Sequence, residues 1–248
     1  MSILDQIMQQ KVAEVTAKKK AVSVKALEGF AYFYRQTHSA KAALLGGGVI
    51  AEHKRRSPSK AAINTQSKVQ EMVSAYDSGG AAVLSILTDT VFFGGSLDDL
   101  ITARNHTEKP LLRKDFIYDP YQVYEAKAYG ADVILLIASV LTKNQIDELS
   151  ALAHELGLEV LLEVHDKEEL LKKQSPLIDL LGVNHRNLKT FEVNLSLGEE
   201  LLPLMHKTQV AVAESGLSEL AQIERLYKLG FKGFLIGEYL MKEVHPAQ

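Results

Sequence analysis

The sequence contains no cysteine, and this single absence excludes several kinds of chemistry. Without a thiol the chain forms no disulfide bond, binds no metal through thiolates and has no cysteine nucleophile. This composition is compatible with a reducing compartment. The N-terminal stretch also lacks the long apolar core of a signal peptide, so we expect a cytoplasmic protein.

Strong net charge and long apolar runs are missing as well. The 248 residues carry a formal net charge of −3, which leaves no basic footprint for nucleic acid or an acidic membrane surface. No apolar run reaches the length of a membrane span. We therefore expect no nucleic-acid partner and no membrane association.

Motifs for nucleotide and metal binding are absent too. The chain has no Gly-Lys-Ser/Thr loop and no Gly-x-Gly-x-x-Gly motif after a strand, so no nucleotide cofactor is indicated. His154 and His165 have no second ligand at the spacing of a metal site. We therefore expect neither a nucleotide cofactor nor a metal site.

What the sequence does contain is an alternation of short apolar runs and helical patterns, which begins after the glycines at 46–48 and repeats eight times. Near-continuous apolar strands separated by helices are typical of a parallel sheet covered on both faces. Eight such units in about 200 residues predict a closed (β/α)8 barrel, the TIM barrel of the α/β class. A doubly wound open sheet is the alternative, although it usually has fewer strands. The predicted strands are 48–54, 81–87, 110–114, 132–137, 158–164, 178–183, 209–213 and 232–236. The helical patterns lie near 67–78, 96–105, 120–129, 143–156, 166–174, 196–205, 218–229 and 238–243.

Two further helical patterns precede this repeat, at residues 2–20 and 24–43. Their apolar residues recur at helical spacing, which predicts an amphipathic helix in each segment. No linker rich in proline, glycine or serine splits the chain. We therefore expect one domain over residues 1–248, with a helical extension at 1–45 and the barrel at 46–248.

The stretch of residues 48–60 runs from an apolar strand into a polar turn and carries the first chemical groups. Glu52 and Lys54 are two positions apart, and residues at that spacing in a strand point to the same face. Both lie at the carboxyl end of the strand, where barrels and open α/β sheets carry their active sites. The alternative is a solvated charge pair on an edge strand.

Five other strand ends carry polar residues in the corresponding position. Each alone has a structural explanation: a lone lysine is usually solvated, Glu163 could cap the next helix, and Asn184 could hold a turn. Such residues occur at six of the eight strand ends. One pocket in which these groups converge explains this better than six separate structural roles. The groups beyond the first strand are Lys114, Glu163, Asn184 with Arg186, Glu214 and Glu238.

The loops after the last two strands indicate an anion site. Residues 215–216 (Ser-Gly) and 237–238 (Gly-Glu) each lead into a predicted helix. Glycine lets backbone approach a ligand closely, and free N–H groups at a helix N-terminus favour an anion. These two loops are the common phosphate site of barrels, and Ser57 in the first loop could add a hydroxyl donor.

The loop after the second strand, residues 88–96, carries Phe92 and Phe93 together with two glycines. Aromatic side chains on a loop over a pocket indicate an aromatic substrate or a lid. The alternative is that both rings plug the rim of the barrel.

These residues stand in a series of motifs that resembles the indole-3-glycerol phosphate synthase family of tryptophan biosynthesis. The matching stretches are collinear and span residues 48–240, and the two N-terminal helical patterns match an extension of which part closes over the barrel in that family. The departures from the family pattern, at His53, Ala61 and His185, are not at catalytic positions. The motifs are Ala51-Glu52-His53-Lys54-Arg55-Arg56-Ser57-Pro58-Ser59, Leu84-Ser85-Ile86-Leu87-Thr88-Asp89 with Phe93-Gly94-Gly95-Ser96, Leu112-Arg113-Lys114-Asp115-Phe116-Ile117, Leu162-Glu163-Val164-His165-Asp166, Gly182-Val183-Asn184-His185-Arg186-Asn187-Leu188, Ala213-Glu214-Ser215-Gly216 and Phe234-Leu235-Ile236-Gly237-Glu238.

The resemblance implies a cofactor-free enzyme whose substrate is 1-(2-carboxyphenylamino)-1-deoxyribulose 5-phosphate, and whose reaction closes an indole ring with loss of CO2 and water. Lys114 is implied as the acid of ring closure, and the remaining acid and base steps are left open between Lys54 and Glu163. The implied catalytic residues are Glu52, Lys54, Lys114, Glu163 and Asn184. The implied substrate-binding residues are Ser57, Phe93, Phe116, Arg186, Leu188, Glu214, Ser215, Gly216, Gly237 and Glu238.

The expected partner is thus a small phosphorylated aromatic substrate, and we expect a monomer, with a homodimer as the alternative. Among rival functions, the related barrel phosphoribosylanthranilate isomerase would share the phosphate loops but use a cysteine and an aspartate. A non-catalytic phosphate-binding barrel would be expected to lack Lys114 or Glu163, and this chain has both. A structural or interaction protein would not need the converging charges.

His53 is the most unusual departure. By strand alternation it faces away from the pocket. We expect it to be buried between the barrel and its helices, with a hydrogen-bond partner.

Overall fold

A ring of eight parallel strands forms the centre of the protein. A computed structural model describes residues 2–187 and 192–242. The strands are β1 (Gly48–His53), β2 (Val83–Leu87), β3 (Leu111–Lys114), β4 (Val133–Ile137), β5 (Glu159–Val164), β6 (Leu180–Asn184), β7 (Val210–Glu214) and β8 (Gly233–Ile236). Each strand pairs with the next in chain order and β8 pairs with β1, so the sheet is closed. The predicted TIM barrel is confirmed, and the open sheet is excluded.

Helices lie close to the positions that the sequence pattern predicts. The pattern at 196–205 is divided into a helix and a 3-10 turn, because the ring and the missing N–H of Pro203 oppose a continuing helix. The pattern at 238–243 forms only the 3-10 turn Leu240–Lys242, and residue 243 lies outside the described residues. The α-helices are α1 (Ile3–Ala21), α2 (Val24–Glu28), α3 (Ala40–Leu44), α4 (Val69–Ser78), α5 (Leu97–Arg104), α6 (Pro120–Ala128), α7 (Lys143–Glu155), α8 (Lys167–Lys173), α9 (Ser196–Leu201) and α10 (Leu220–Leu229).

Strand alternation divides the core into two layers, as β3 illustrates. Leu112 belongs to the cluster inside the barrel, whereas Leu111 belongs to the larger cluster between the strands and the helices. Successive side chains of a strand point to opposite faces, so the same alternation sends Arg113 outward and Lys114 inward. The end of each strand therefore supplies one residue to the mouth of the barrel and one to its outer shell.

The first predicted N-terminal helix is confirmed, and the second is wrong. α1 begins after Ser2, whose side chain and backbone form a capping box with Asp5. The pattern at 24–43 forms two short helices, because Gly29 caps α2 and the hydroxyl of Ser39 starts α3 by accepting the N–H of Ala42.

These N-terminal helices cover two sides of the barrel. Val15 of α1 and Leu27 of α2 pack with Tyr121 of α6, which attaches the first two helices to the outer shell. Leu44 of α3 belongs to the core inside the barrel and closes its amino-terminal end. Across residues 2–187 and 192–242, no helix combines the length and hydropathy needed to cross a membrane.

Candidate active site

A cavity of about 380 Å³ opens at the carboxyl ends of the strands. Every predicted site residue in the described part of the chain contributes to its wall, so the structure brings these residues together around one cavity. Leu188, the remaining predicted residue, lies outside the described residues. The predicted residues along the wall are Glu52, Lys54, Ser57, Phe93, Lys114, Phe116, Glu163, Asn184, Arg186, Glu214, Ser215, Gly216, Gly237 and Glu238.

Lys114 lies between two carboxylates at the end of β3. Its Nζ is 2.8 Å from Oε2 of Glu163 on β5 and 2.6 Å from Oε2 of Glu214 on β7. Burial alone would lower the pKa of Lys114, but the charges of Glu163 and Glu214 outweigh burial and raise it above its ordinary value. The ammonium is therefore charged at neutral pH and faces the cavity.

The two carboxylates that share Lys114 differ in their affinity for protons. Burial raises the pKa of Glu163, but Lys114 and His165 outweigh it and hold that pKa well below its usual range. Burial also raises the pKa of Glu214; Lys114 opposes the rise and Glu163 adds to it, which leaves the pKa at about 7. The site thus holds one firmly ionised carboxylate and one that exchanges a proton near neutral pH.

Glu163 is also held at its other oxygen. Nδ2 of Asn184, at the end of β6, donates to Oε1 of Glu163 at 3.0 Å. Oδ1 of the same Asn184 accepts the backbone N–H of Arg186 at 3.1 Å. Asn184 therefore fixes the carboxylate and the start of the following loop together.

Glu52 and Lys54 form the pair that strand spacing predicts. Nζ of Lys54 lies 2.6 Å from Oε1 of Glu52, and the Glu52 side chain is buried. A Cβ atom at position 237 would lie 2.5 Å from that same Glu52 oxygen. Gly237 is thus required by the close approach of β8 to Glu52, which is a second reason for a glycine in this loop.

The loops after β7 and β8 present unpaired backbone donors. Ser215 and Gly216 adopt left-handed conformations with φ of 68° and 74°. Within the described residues, the N–H groups of Gly216, Gly237 and Glu238 donate to no protein acceptor. Successive free N–H groups in such turns form a concavity suited to an anion.

The prediction that each of these loops leads into a helix is confirmed after β7 and wrong after β8. α10 begins only at Leu220, and β8 is followed by a single 3-10 turn. The free N–H groups therefore belong to turns and not to helix N-termini. Near them, the carboxylate of Glu238 is ion-paired with Lys60 at 2.8 Å and with Lys242 at 2.7 Å, so two ammonium groups lie close to the anion site.

The opposite part of the wall is apolar. The rings of Phe93 and Phe116 lie 5.9 Å apart between centroids, and both line the cavity. Ile3, Leu4 and Ile7 of α1 complete this wall, and sequence reasoning did not assign them to the site. Their helical spacing was recognised, but a periodic apolar stripe does not reveal what it packs against.

His53 lies where strand alternation predicts. It is 1% exposed, and its Nε2 is 3.1 Å from Oγ of Ser67 outside the barrel. Burial, together with the charge of Arg55, lowers its pKa to about 4, so the ring is neutral at neutral pH. The expected burial and hydrogen-bond partner are both confirmed.

A second group of charges lies directly outside the barrel, and sequence reasoning missed it. Lys11 of α1 is 1% exposed, and its Nζ is 3.0 Å from Oδ2 of Asp89 and 2.9 Å from Oδ1 of Asp115. Arg113 lies 3.1 Å from the other oxygen of Asp115 and 2.8 Å from Glu125 of α6. Lys11 stands four residues from Ile7 and from Val15 on the buried stripe of α1, and this position is the sequence feature that marks it.

No group of three or more metal-ligating side chains occurs among residues 2–187 and 192–242. The polar groups of the cavity instead pair with one another through nitrogen and oxygen. What the cavity offers is a charged acid, an ionised carboxylate, a protonatable carboxylate, an anion site and an aromatic wall.

Comparison with known proteins agrees with this arrangement. The family model described as indole-3-glycerol phosphate synthase matches residues 4–248. A protein of that name from Bacteroides thetaiotaomicron is 46% identical over 248 residues, covering 99% of this chain and 95% of the relative. Another, from Neisseria meningitidis, is 44% identical and covers 97% of this chain and 94% of the relative.

Solved structures show the same fold at low sequence identity. A thiamine phosphate pyrophosphorylase from Pyrococcus furiosus has a TM-score of 0.63 at 17% identity and covers 84% of this chain and 93% of its own. A tryptophan synthase alpha-subunit from Pyrococcus furiosus has a TM-score of 0.60 at 18% identity, covering 79% and 89% respectively. At this identity the likeness concerns the barrel alone, whereas the family match concerns nearly the whole chain. The chain therefore belongs to the indole-3-glycerol phosphate synthase family, whose members are carboxy-lyases of tryptophan biosynthesis.

Proposed function

We propose that this cavity converts 1-(2-carboxyphenylamino)-1-deoxyribulose 5-phosphate into indole-3-glycerol phosphate, CO2 and water, with Lys114 as the principal acid. The observation that carries the proposal is the position of the Lys114 ammonium, buried between Glu163 and Glu214 and facing a cavity with an anion site and an aromatic wall. A barrel that only bound a phosphate would not need this arrangement.

Ring closure requires an acid at the ketone. The aromatic carbon that bears the carboxylate attacks the carbonyl carbon, and the carbonyl oxygen gains an electron pair that needs a proton. Lys114 is held charged by Glu163 and Glu214, so it supplies that proton without a metal. The resulting iminium accepts the electron pair of the breaking bond, and CO2 leaves.

The remaining dehydration requires a second acid and a base. The hydroxyl group leaves as water after accepting a proton, and a base removes a proton from the CH2 carbon beside the nitrogen. The low pKa of Glu163, which Lys114 and His165 maintain against burial, favours the role of base. We assign the acid role to Lys54, which also lines the cavity and forms an ion pair with Glu52.

The two ends of the cavity would orient the substrate. The N–H groups of Gly216, Gly237 and Glu238 would donate to the phosphate, and the hydroxyls of Ser57 and Ser215 line the same cavity. Phe93 and Phe116 contact the aromatic ring. Binding energy from these non-reacting parts holds the ketone against Lys114, which is how remote contacts accelerate a reaction.

Four other residues complete the proposal. Asn184 positions Glu163, and Arg186 at the cavity wall contributes to substrate binding. Glu214 enters chiefly as a partner of Lys114, since its Oε2 binds the ammonium. Leu188 stays a predicted substrate contact.

The chain is proposed to act as one domain, because α1 supplies apolar residues to a cavity that the barrel otherwise forms. A monomer stays a prediction from the sequence, with a homodimer as the alternative. A cytoplasmic location stays a prediction from the sequence.

The direct test is to incubate the purified protein with the proposed substrate and to follow indole absorbance and fluorescence. We expect product formation without added nucleotide or metal, and formation slower by at least about 10²-fold with Lys114→Ala under the same conditions. A Lys114→Ala variant with nearly wild-type activity would contradict the assignment of the acid. A wild-type protein that bound the substrate without converting it would contradict the function.

A further inference from the structure

One histidine beside the cavity takes no direct part in the reaction described above. His165 follows β5 directly and stands two residues after Glu163. Its side chain is 10% exposed, and in the described part of the chain it does not line the cavity. Any effect of His165 on the substrate must therefore pass through another residue.

The imidazole of His165 lies between two carboxylates. Its Nε2 is 3.1 Å from Oε1 of Glu163, and its Nδ1 is 3.3 Å from Oε2 of Glu169 on α8. The backbone N–H of His165 donates to the same Glu169 oxygen at 2.8 Å. The contact with Glu163 has the distance of an ion pair but not the alignment of a hydrogen bond, so Glu169 fixes the ring and the ring faces Glu163.

We propose that His165 is a positioning residue for Glu163: anchored by Glu169, it holds Oε1 of the carboxylate from outside the cavity, while Lys114 holds Oε2 from inside. The proposal rests on the proposed role of Glu163 as the base of the dehydration. In this proposal Glu163, His165 and Glu169 form a line of contacting side chains from the cavity to α8.

The charges around this line support the proposal. Burial lowers the pKa of His165, but the carboxylates of Glu163 and Glu169 outweigh burial and raise it to about 10. The ring is therefore an imidazolium at neutral pH, and its positive charge favours the ionised form of Glu163. The other charged groups that face this line are Lys114 of β3, Glu214 of β7 and Glu52 of β1.

A second histidine pair in the protein provides a matched control. Nε2 of His154 lies 2.9 Å from Oδ2 of Asp179, and the His154 side chain is 37% exposed. Neither His154 nor Asp179 lines the cavity. This pair has the same chemistry as the pair of His165 and Glu163 but no contact with the proposed base.

The experiment compares the pH dependence of kcat in wild type, His165→Leu, His165→Gln and Glu169→Gln, with His154→Leu as the control. Loss of the imidazolium removes a positive charge from Glu163 and raises its pKa. We expect the acidic limb of the kcat profile of His165→Leu to move up by about one pH unit, with a loss of about tenfold below that limb. The acidic limbs of His165→Gln, which retains a neutral N–H, and of Glu169→Gln should lie between those of His165→Leu and wild type. KM should change little in all three variants.

An unshifted acidic limb in folded His165→Leu or His165→Gln would overturn the proposal, and so would a change confined to KM. A measurement that does not depend on activity is the carbon-13 NMR titration of the Glu163 carboxyl group, assigned with Glu163→Gln. Its pKa should rise in the His165 variants and stay unchanged in His154→Leu. If wild type formed no indole, the proposed function would fail, and the titration would still decide whether His165 acts on Glu163.

Discussion

Two groups of charges lie on opposite faces of the barrel wall at β3, and they differ in how completely their members are paired. The mouth cluster, which faces the cavity, consists of Glu52, Lys54, Lys114, Glu163 and Glu214. The shell cluster, which lies between the barrel, α1 and α6, consists of Lys11, Asp89, Arg113, Asp115 and Glu125. Residues 113 and 114 are neighbours in the chain, yet strand alternation sends one to each cluster.

The shell cluster is saturated. Both oxygens of Asp115 bind cations, and the Oδ2 atom also accepts the hydroxyl of Thr88 at 2.6 Å. Oδ1 of Asp89 accepts the N–H groups of Phe92 and Phe93, which orders the loop that carries the aromatic wall. In a buried charge network of this kind the charged groups already have partners, so none is available to a substrate. Removing one member leaves buried charges without a counter-charge.

The mouth cluster is not saturated. Oε1 of Glu214 has no hydrogen-bond partner among the described residues, and two carboxylates share the single ammonium of Lys114. This arrangement drives the proton affinities of Glu163 and Glu214 apart, which is typical of groups that exchange protons during catalysis. Burial and charge alone therefore do not mark an active site, whereas incomplete ion pairing next to a cavity does.

The largest effect is expected from Lys114→Ala. Loss of the acid should lower kcat by about 10²–10⁴-fold, while the phosphate end of the substrate remains bound. Lys114→Arg should also be poor, because guanidinium does not release its proton. Steady-state kinetics of Lys114→Ala and Lys54→Ala decide which lysine is the acid of ring closure. If Lys114→Ala kept most of its kcat and Lys54→Ala lost nearly all of it, the roles of the two lysines would have to be exchanged.

The next effect concerns stability and the shell cluster. Lys11→Met removes the buried cation of Asp89 and one of the two cations of Asp115, and we expect the free energy of unfolding to fall by about 3 kcal/mol. The matched control is Lys19→Met, because Lys19 is half-exposed and its ion pair with Asp119 at 2.9 Å contributes about 1 kcal/mol or less. Urea unfolding of both variants measures the difference, and equal losses would refute the contrast.

A smaller effect is expected at the anion site. Ser57→Asp places a negative charge beside the phosphate and should raise KM about tenfold, with kcat nearly unchanged. Gly237→Asp should raise KM and also lower kcat, because its Cβ would lie 2.5 Å from Oε1 of Glu52. An unchanged KM in Ser57→Asp would show that the phosphate does not bind beside the first loop.

The smallest effect at neutral pH is expected from His53→Ile. The folded-state pKa of His53 is lowered to about 4 from an ordinary value of 6.5, so wild type loses stability as the pH falls from 6.5 towards 4. The variant lacks this group, so it should match wild type at pH 7 within about 1 kcal/mol and be more stable than wild type near pH 5. Unfolding at the two pH values, with kcat as a second readout, checks this; a large loss of kcat in the folded variant would mean that His53 acts on the cavity.

The barrel and its mouth could be predicted because both follow from local periodicity. Strand alternation correctly pairs Glu52 with Lys54, and the order of strands in a closed barrel brings Lys114, Glu163 and Glu214 together. Neither inference requires knowledge of contacts between distant segments. The outward position of His53 is predictable for the same reason.

What could not be predicted depends on long-range contacts. Lys11 pairs with Asp89 and Asp115, which lie far from it in the chain, and helical spacing alone does not show that α1 docks against them. Leu44 of α3 packs inside the barrel, and the helical spacing of residues 24–43 does not show this contact. His165 is different, because it stands two residues after Glu163 and four before Glu169, so its contacts are local and sequence reasoning overlooked them.

The most direct test of the contrast between the two clusters is to measure kcat and the free energy of unfolding for Arg113→Met and Lys114→Met side by side. The two residues are adjacent in β3, and both substitutions replace a long buried cation with an apolar side chain. We expect Lys114→Met to lose at least about 10²-fold in kcat with little loss of stability, since its carboxylates can take up protons or contact water in the cavity. Arg113→Met should lose about 3–5 kcal/mol of stability and retain substantial kcat in the fraction that stays folded. The reverse pattern, an inactive but stable Arg113→Met with an active and unstable Lys114→Met, would contradict the account.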